Sequence, residues 1–269
     1  MASTYIDSAQ ATGAPPAKSG RASDRGRFFI NYAAVCLAVA VIGFAPSFWM
    51  PVGTASFSDT GMVLAHGLAF TAWPVLFLWQ TIKVERGQII SHRAWGVAGV
   101  SLATIMLLVG IATVESQLTQ RLVFGYGDRA RTFAIAPLTN IMLFFALFVA
   151  SVANVRRPDW HKRLMMCASA VVLTPAFARM VFYIVDGRPL DPPVANAPPG
   201  SPELVLRAAS LVLALMIAAS LIDRRRRNGA LHPAWLWGMG IFIAVSVGRI
   251  PLARTEAWFA FTDALVAFG

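Results

Sequence analysis

Residues 133–154, FAIAPLTNIMLFFALFVASVAN, form a stretch of 22 residues without a single charged side chain. A helix needs about 20 apolar residues to cross a hydrocarbon core of about 30 Å. A lone strand in lipid would leave its backbone unpaired, so the stretch is predicted to be a membrane-spanning helix. Six more runs meet or approach the same test, at 28–50, 61–82, 94–115, 163–185, 203–222 and 233–250. The expected fold class is all-α, a bundle of seven transmembrane helices. Pro46, Gly110 and Pro175 fall inside these runs, where neighbouring helices can satisfy the freed backbone groups.

Composition points the same way. Of 269 residues, 57% are hydrophobic and 13% are charged, and mean hydropathy is +0.62. A soluble domain would carry roughly 25% charged residues. The net charge of +10 could suggest nucleic acid, but the basic residues stand in short clusters beside apolar runs. That placement follows the positive-inside rule instead, so the expected partner is the lipid bilayer and not nucleic acid. Cys36 and Cys167 lie in different apolar runs and read as small buried hydrophobes. The sequence leaves open whether the chain forms a homo-oligomer or has a partner subunit.

The basic clusters orient the bundle. One side receives Lys18, Arg21, Arg25 and Arg27 of the tail, then Lys83, Arg86 and Arg93, then Arg156, Arg157, Lys162 and Arg163, then Arg224 to Arg227. The other side and its helix ends receive Arg121, Arg129, Arg131, Arg179, Arg188, Arg207, Arg249 and Arg254. The richer side is expected to be cytoplasmic. Seven spans then put the N-terminus inside and the C-terminus outside. Residues 1–27, rich in Ala, Ser, Gly and Pro, read as a disordered basic tail. Residues 187–202 hold six prolines and read as an extended or disordered loop. Residues 251–269 are too short to span and read as a short outer interfacial helix. Trp79, Trp95, Trp160, Trp235 and Trp237 near the inner ends, with Trp49 and Trp258 near the outer ones, are expected to form an aromatic belt.

Ionisable groups at membrane depth are functional candidates. His66 falls about 8 Å into the second run from its outer end. Phe70, Trp73, Phe77 and Gln80 follow at 4-3-4-3 spacing and share its face. Glu115, Asn140 and Arg179 reach the same outer depth. His66, Gln80, Glu115, Asn140 and Arg179 are the candidate ligand-binding residues, in an outward-facing polar pocket. The structural alternative has Arg207 and Arg249 snorkelling to the interface and Arg179 paired with Asp186 or Glu115. His92, His161 and His232 precede the third, fifth and seventh runs. Three His could hold a metal, and His92 with His161 could hold one b-type haem. No HxxH, HxxxH or HExxH spacing supports the metal. The chain has no CxxCH, P-loop, GxGxxG or GxSxG, and no catalytic residue is expected.

The second and third runs carry His66-Gly67-Leu68, Thr71-Ala72-Trp73, Gln80, His92-Arg93 and Gly96. The fifth carries His161-Lys162-Arg163-Leu164-Met165-Met166, Pro175-Ala176 and Arg179, and the end carries Arg249, Pro251-Leu252 and Glu256-Ala257-Trp258. From about residue 30 onward this resembles a group of bacterial multi-pass inner-membrane proteins of no known activity. It is distantly similar to other His-bearing helical families, some suspected of handling haem. Where those relatives often have an acidic residue in the fourth helix, this chain has Thr139-Asn140. The resemblance implies a bacterial inner membrane and no particular chemistry. Three roles follow as expectations: a non-enzymatic ligand-binding or sensing protein, a b-haem redox protein, and a small-molecule transporter. The last lacks a visible inverted repeat or broken-helix pair.

Overall fold

The computed structural model describes residues 20–52, 54, 61–187 and 198–268. The described residues are helical, with short turns and no strand. The helices are α1 (Gly20–Phe44), α2 (Gly61–Glu85), α3 (Ile89–Val123), α4 (Gly127–Ala153), α5 (Pro158–Val171), α6 (Thr174–Met180), α7 (Pro202–Arg226), α8 (Pro233–Leu252) and α9 (Glu256–Phe268). Two π-helical turns extend α1 over Ala45–Trp49 and α6 over Val181–Val185.

Six helices are long and apolar enough to cross a membrane. A bent pair, α5 with α6 and its π turn, broken by 41°, makes a seventh candidate if the two cross as one span. Pro175 explains the break. It has no N–H to give the carbonyl of Val171, and its ring would clash there. The Thr174 hydroxyl donates to that carbonyl instead, at 2.8 Å. The run 163–185, expected as one helix, is therefore two.

The helices outrun the apolar stretches at several ends, because helix continues where lipid stops. The tail was expected to be disordered to residue 27, yet α1 begins at Gly20. Residues 1–19 and 188–197 of the expected disordered segments lie outside the described residues. The largest departure is α3, with 35 residues against the 22 expected at 94–115. At 1.5 Å per residue it is about 52 Å long. Glu115 therefore sits well inside α3 and not at its end. Likewise α4 starts at Gly127, so Asn140 lies nearly four turns in.

Half of the most apolar window of α4 is buried, against 22% for α2 and α3, which makes α4 the central helix. Its Phe144 and Phe148 pack edge-on against Trp73 of α2. Trp73 donates to Ser169 of α5, and Tyr32 of α1 donates to the carbonyl of Met166. Large apolar side chains such as Ile90, Val97 and Leu108 face outward, as a lipid-solvated surface requires. Trp79, Trp95 and Trp237 are exposed in the manner of belt residues. Trp235 and Trp258 are not. Trp235 is fully buried, and Trp258 is buried beneath α9, where its indole donates to the carbonyl of Arg131. With Asp263 paired to Arg131 at 2.7 Å, that contact fastens α9 to α4. Trp258 is thus a packing residue rather than an interfacial anchor.

Candidate functional site

The π turn after α1, the first half of α2, the far half of α3, the first half of α4 and the α5–α6 break surround one cavity of about 280 Å³. It lies at the His66 end of the bundle. On α2 the lining residues Val63, His66, Gly67, Phe70, Thr71 and Pro74 share one helical face. On α3 the matching face is Gly110, Val114, Gln117 and Arg121, with 4-3-4 spacing. Asn140 contributes from α4, Arg179 from α6 and Ser47 from the π turn. Three of the five expected residues, His66, Asn140 and Arg179, therefore share this cavity.

Several polar atoms here have unused hydrogen-bonding capacity. The His66 ring stacks on Phe70 at 4.1 Å, but its buried Nδ1 has no partner among the described residues. Neither has Oε1 of Gln117 nor Nε of Arg121. Arg121 lies over the Phe133 ring at 5.0 Å. Arg179 donates to the Ser47 hydroxyl at 2.9 Å and to the Pro175 carbonyl at 3.3 Å, with Phe44 under its guanidinium. Asn140 accepts from Arg249 of α8 at 3.2 Å. Arg249 is only 5% exposed, and its Nη2 has no partner among the described residues. The expectation that Arg249 snorkels is corrected: it points into the protein.

Among the described residues, no carboxylate lines the cavity. Glu115 is turned off the lining face and accepts from Thr119 at 2.9 Å. Asp186 is held by Arg207 through two bonds of 2.8 and 3.1 Å. Arg179 thus pairs with neither. Among the described residues, no ion pair includes Arg121, Arg179 or Arg249.

Gln80, on the same face as His66 but nearly four turns away, belongs to the opposite end. Its Nε2 donates to the His92 carbonyl at 3.1 Å. There the His92 and His161 rings meet edge-on, 6.4 Å apart. The Nδ1 of His161 lies 3.0 Å from the Ser151 carbonyl and 3.1 Å from its hydroxyl. His232 stays apart. It caps α8 by accepting from Ala234 and packs edge-on against Trp160. Burial lowers its pKa below the ordinary imidazole value, with Arg163 and Arg227 acting in the same direction. The three His do not form one centre, and among the described residues no group of three or more His, Cys, Asp or Glu is placed to hold a metal.

The sequence reading did not include two features. One is the Gly110–Arg121 stripe, which repeats the spacing of the His66 face but lay partly outside the assumed 94–115 span. The other is a buried polar network at the opposite end. Arg163, 2% exposed, donates to both oxygens of Asp223 at 2.7 and 2.9 Å. It also bonds Asp159 one turn back, and Trp235 donates to Asp223 at 3.0 Å. No family model matches this chain, and neither a curated protein nor a solved structure is detectably similar to it.

Proposed function

We propose that this chain is a multi-pass protein of the bacterial inner membrane that binds or senses a small ligand in the His66 cavity, which opens toward the outside. The supporting observation is the set of unpartnered buried atoms around that cavity: His66 Nδ1, Gln117 Oε1 and Arg121 Nε. A buried donor or acceptor without a partner costs about 1–3 kcal/mol. Three around one hollow favour a site whose bonds are completed by something that enters it. No nucleophile–base pair stands among them, so the reading is one of binding rather than catalysis. The orientation rests on the basic clusters, and the bacterial membrane rests on the resemblance.

Native mass spectrometry of protein extracted in a mild non-ionic detergent tests this. The wild type should retain a stoichiometric small molecule. Gly110→Phe should lose it, because a side chain at Gly110 grows toward Ile141 and Phe70 and fills the hollow. Equal retention by both would overturn the reading.

A second reading is a b-type haem held between His92 and His161. Its support is the approach of the two rings and the engagement of His161 Nδ1 by Ser151, which would leave Nε2 as the coordinating atom, the usual outer-shell arrangement for a ligating His. An absorption spectrum after haem supplementation decides it, since the absence of a Soret band removes this reading.

A further inference from the structure

The cavity is chemically two-ended. Arg121 and Arg179 stand at its outer end with His66 and Gln117. Eleven residues along α3 from Arg121, about 16 Å by helical rise, it reaches Gly110. There the nearest neighbours of Gly110 are the apolar Ile141 and Phe70, with Asn140 lining the cavity one residue from Ile141.

Two largely buried cations with no carboxylate partner among the described residues are costly. Desolvation of an ion costs several kcal/mol unless another charge or a full set of hydrogen bonds compensates. Arg179 is partly compensated by Ser47, Pro175 and Phe44. Arg121 has only the Phe133 face and an unused Nε. Asn140, also in the lining, accepts from a third cation, Arg249, which has no ion pair among the described residues. Glu115 and Asp186 are already engaged, by Thr119 and by Arg207.

Taking the cavity as a ligand site, we infer that its ligand is an anionic amphiphile, with a carboxylate or phosphate head at Arg121 and Arg179 and a short alkyl chain toward Gly110. Guanidinium groups match such heads through charge-assisted bonds. His66 and Gln117 supply polar contacts beside the head. A volume of about 280 Å³ suits a medium-chain acid rather than a full diacyl lipid. Such a head group could come from a free acid or from a bilayer lipid that inserts one chain.

The test uses full-length protein in non-ionic detergent, titrated with octanoate, octanol, acetate and inorganic phosphate, and read by native mass spectrometry. Octanoate should bind stoichiometrically and octanol much more weakly. Arg121→Gln and Arg179→Gln should each weaken octanoate about tenfold or more, while Arg207→Gln, outside the cavity, should not. Arg179→Lys keeps the charge and should retain most of the binding, which separates charge loss from misfolding. Octanol binding as well as octanoate, with no effect of the arginines, would overturn the anion and leave the cavity reading standing. Acetate or phosphate matching octanoate would overturn the alkyl chain. If none of the probes binds while the wild type still retains another compound at Gly110, only this inference falls. Tighter, arginine-dependent retention of phosphatidylglycerol would support the same chemistry with the bilayer as its source.

Discussion

Arg163 of α5 and Asp223 of α7 form a two-pronged ion pair, buried on both sides, 60 residues apart in sequence. Trp235 of α8 donates to the same carboxylate, so three helices meet on one side chain. Removing one member of such a pair leaves the other charge buried and alone, at a cost of about 3–5 kcal/mol. Asp223→Ala should therefore lower the thermal stability of the purified protein sharply. The double variant with Arg163→Met should recover much of that loss. Additive losses in the double variant would show that the two side chains act independently.

His232 gives the fold a pH dependence. Its folded pKa is lowered, chiefly by burial. The unfolded chain therefore takes up the proton first as pH falls. Stability should be full above the ordinary imidazole pKa of about 6.5 and decline below it. Protonation would also end the acceptance from Ala234 at the start of α8. His232→Asn preserves a capping acceptor and should flatten this part of the stability-versus-pH curve. An unchanged acid slope would place the titration elsewhere.

Gly67 and Gly110 both line the cavity, but they differ in the space around them. A Cβ on Gly67 would fall within the Phe48 ring, whereas one on Gly110 would meet Ile141 at 3.0 Å and Phe70 at 3.3 Å. Gly67→Ala must displace the Phe48 ring and should cost about 1–3 kcal/mol, the usual range for overpacking. Gly110→Ala asks its neighbours to give a few tenths of an ångström and should cost less. Melting temperatures of the two variants in the same detergent give the comparison, and the reverse ranking would contradict the packing described.

The charge asymmetry of the loops predicts that the C-terminus faces outside. Alkaline phosphatase fused after residue 269 should be active, and a fusion in the Arg224–Arg227 segment should not. An inactive C-terminal fusion would mean either six spans or the opposite orientation.

The multi-span helical fold was legible because a membrane span needs only length and apolarity, and both are plain in the sequence. The site was half legible. The 4-3-4-3 face beginning at His66 correctly grouped residues on one helix, but a face says nothing of how far along the axis a pocket reaches. Gln80 therefore fell to the opposite end. Glu115 lies one residue from Val114, about 100° around α3, and that rotation takes it off the lining. Arg121 was read as a loop charge because hydropathy marks where lipid ends, while α3 continues for two more turns. Trp235 looked like an interfacial anchor and Arg163 like one of the cytoplasmic basic cluster, because composition cannot reveal that Asp223 lies opposite them.

The break between α5 and α6 has a consequence for water. Val171 to Pro175 line the cavity, and irregular backbone at this depth is tolerated only where protein or water covers it. A continuous span shields its amides from solvent along its middle. Here the interrupted turn borders the hollow, and although the amides of Val172 and Leu173 still donate, to Ala168 at 3.3 Å and to Ala170 at 3.0 Å, they should exchange with deuterium faster than those of the neighbouring turns of α4. An occupant of the hollow would slow that exchange, making these two amides a direct reporter of whether the cavity is filled.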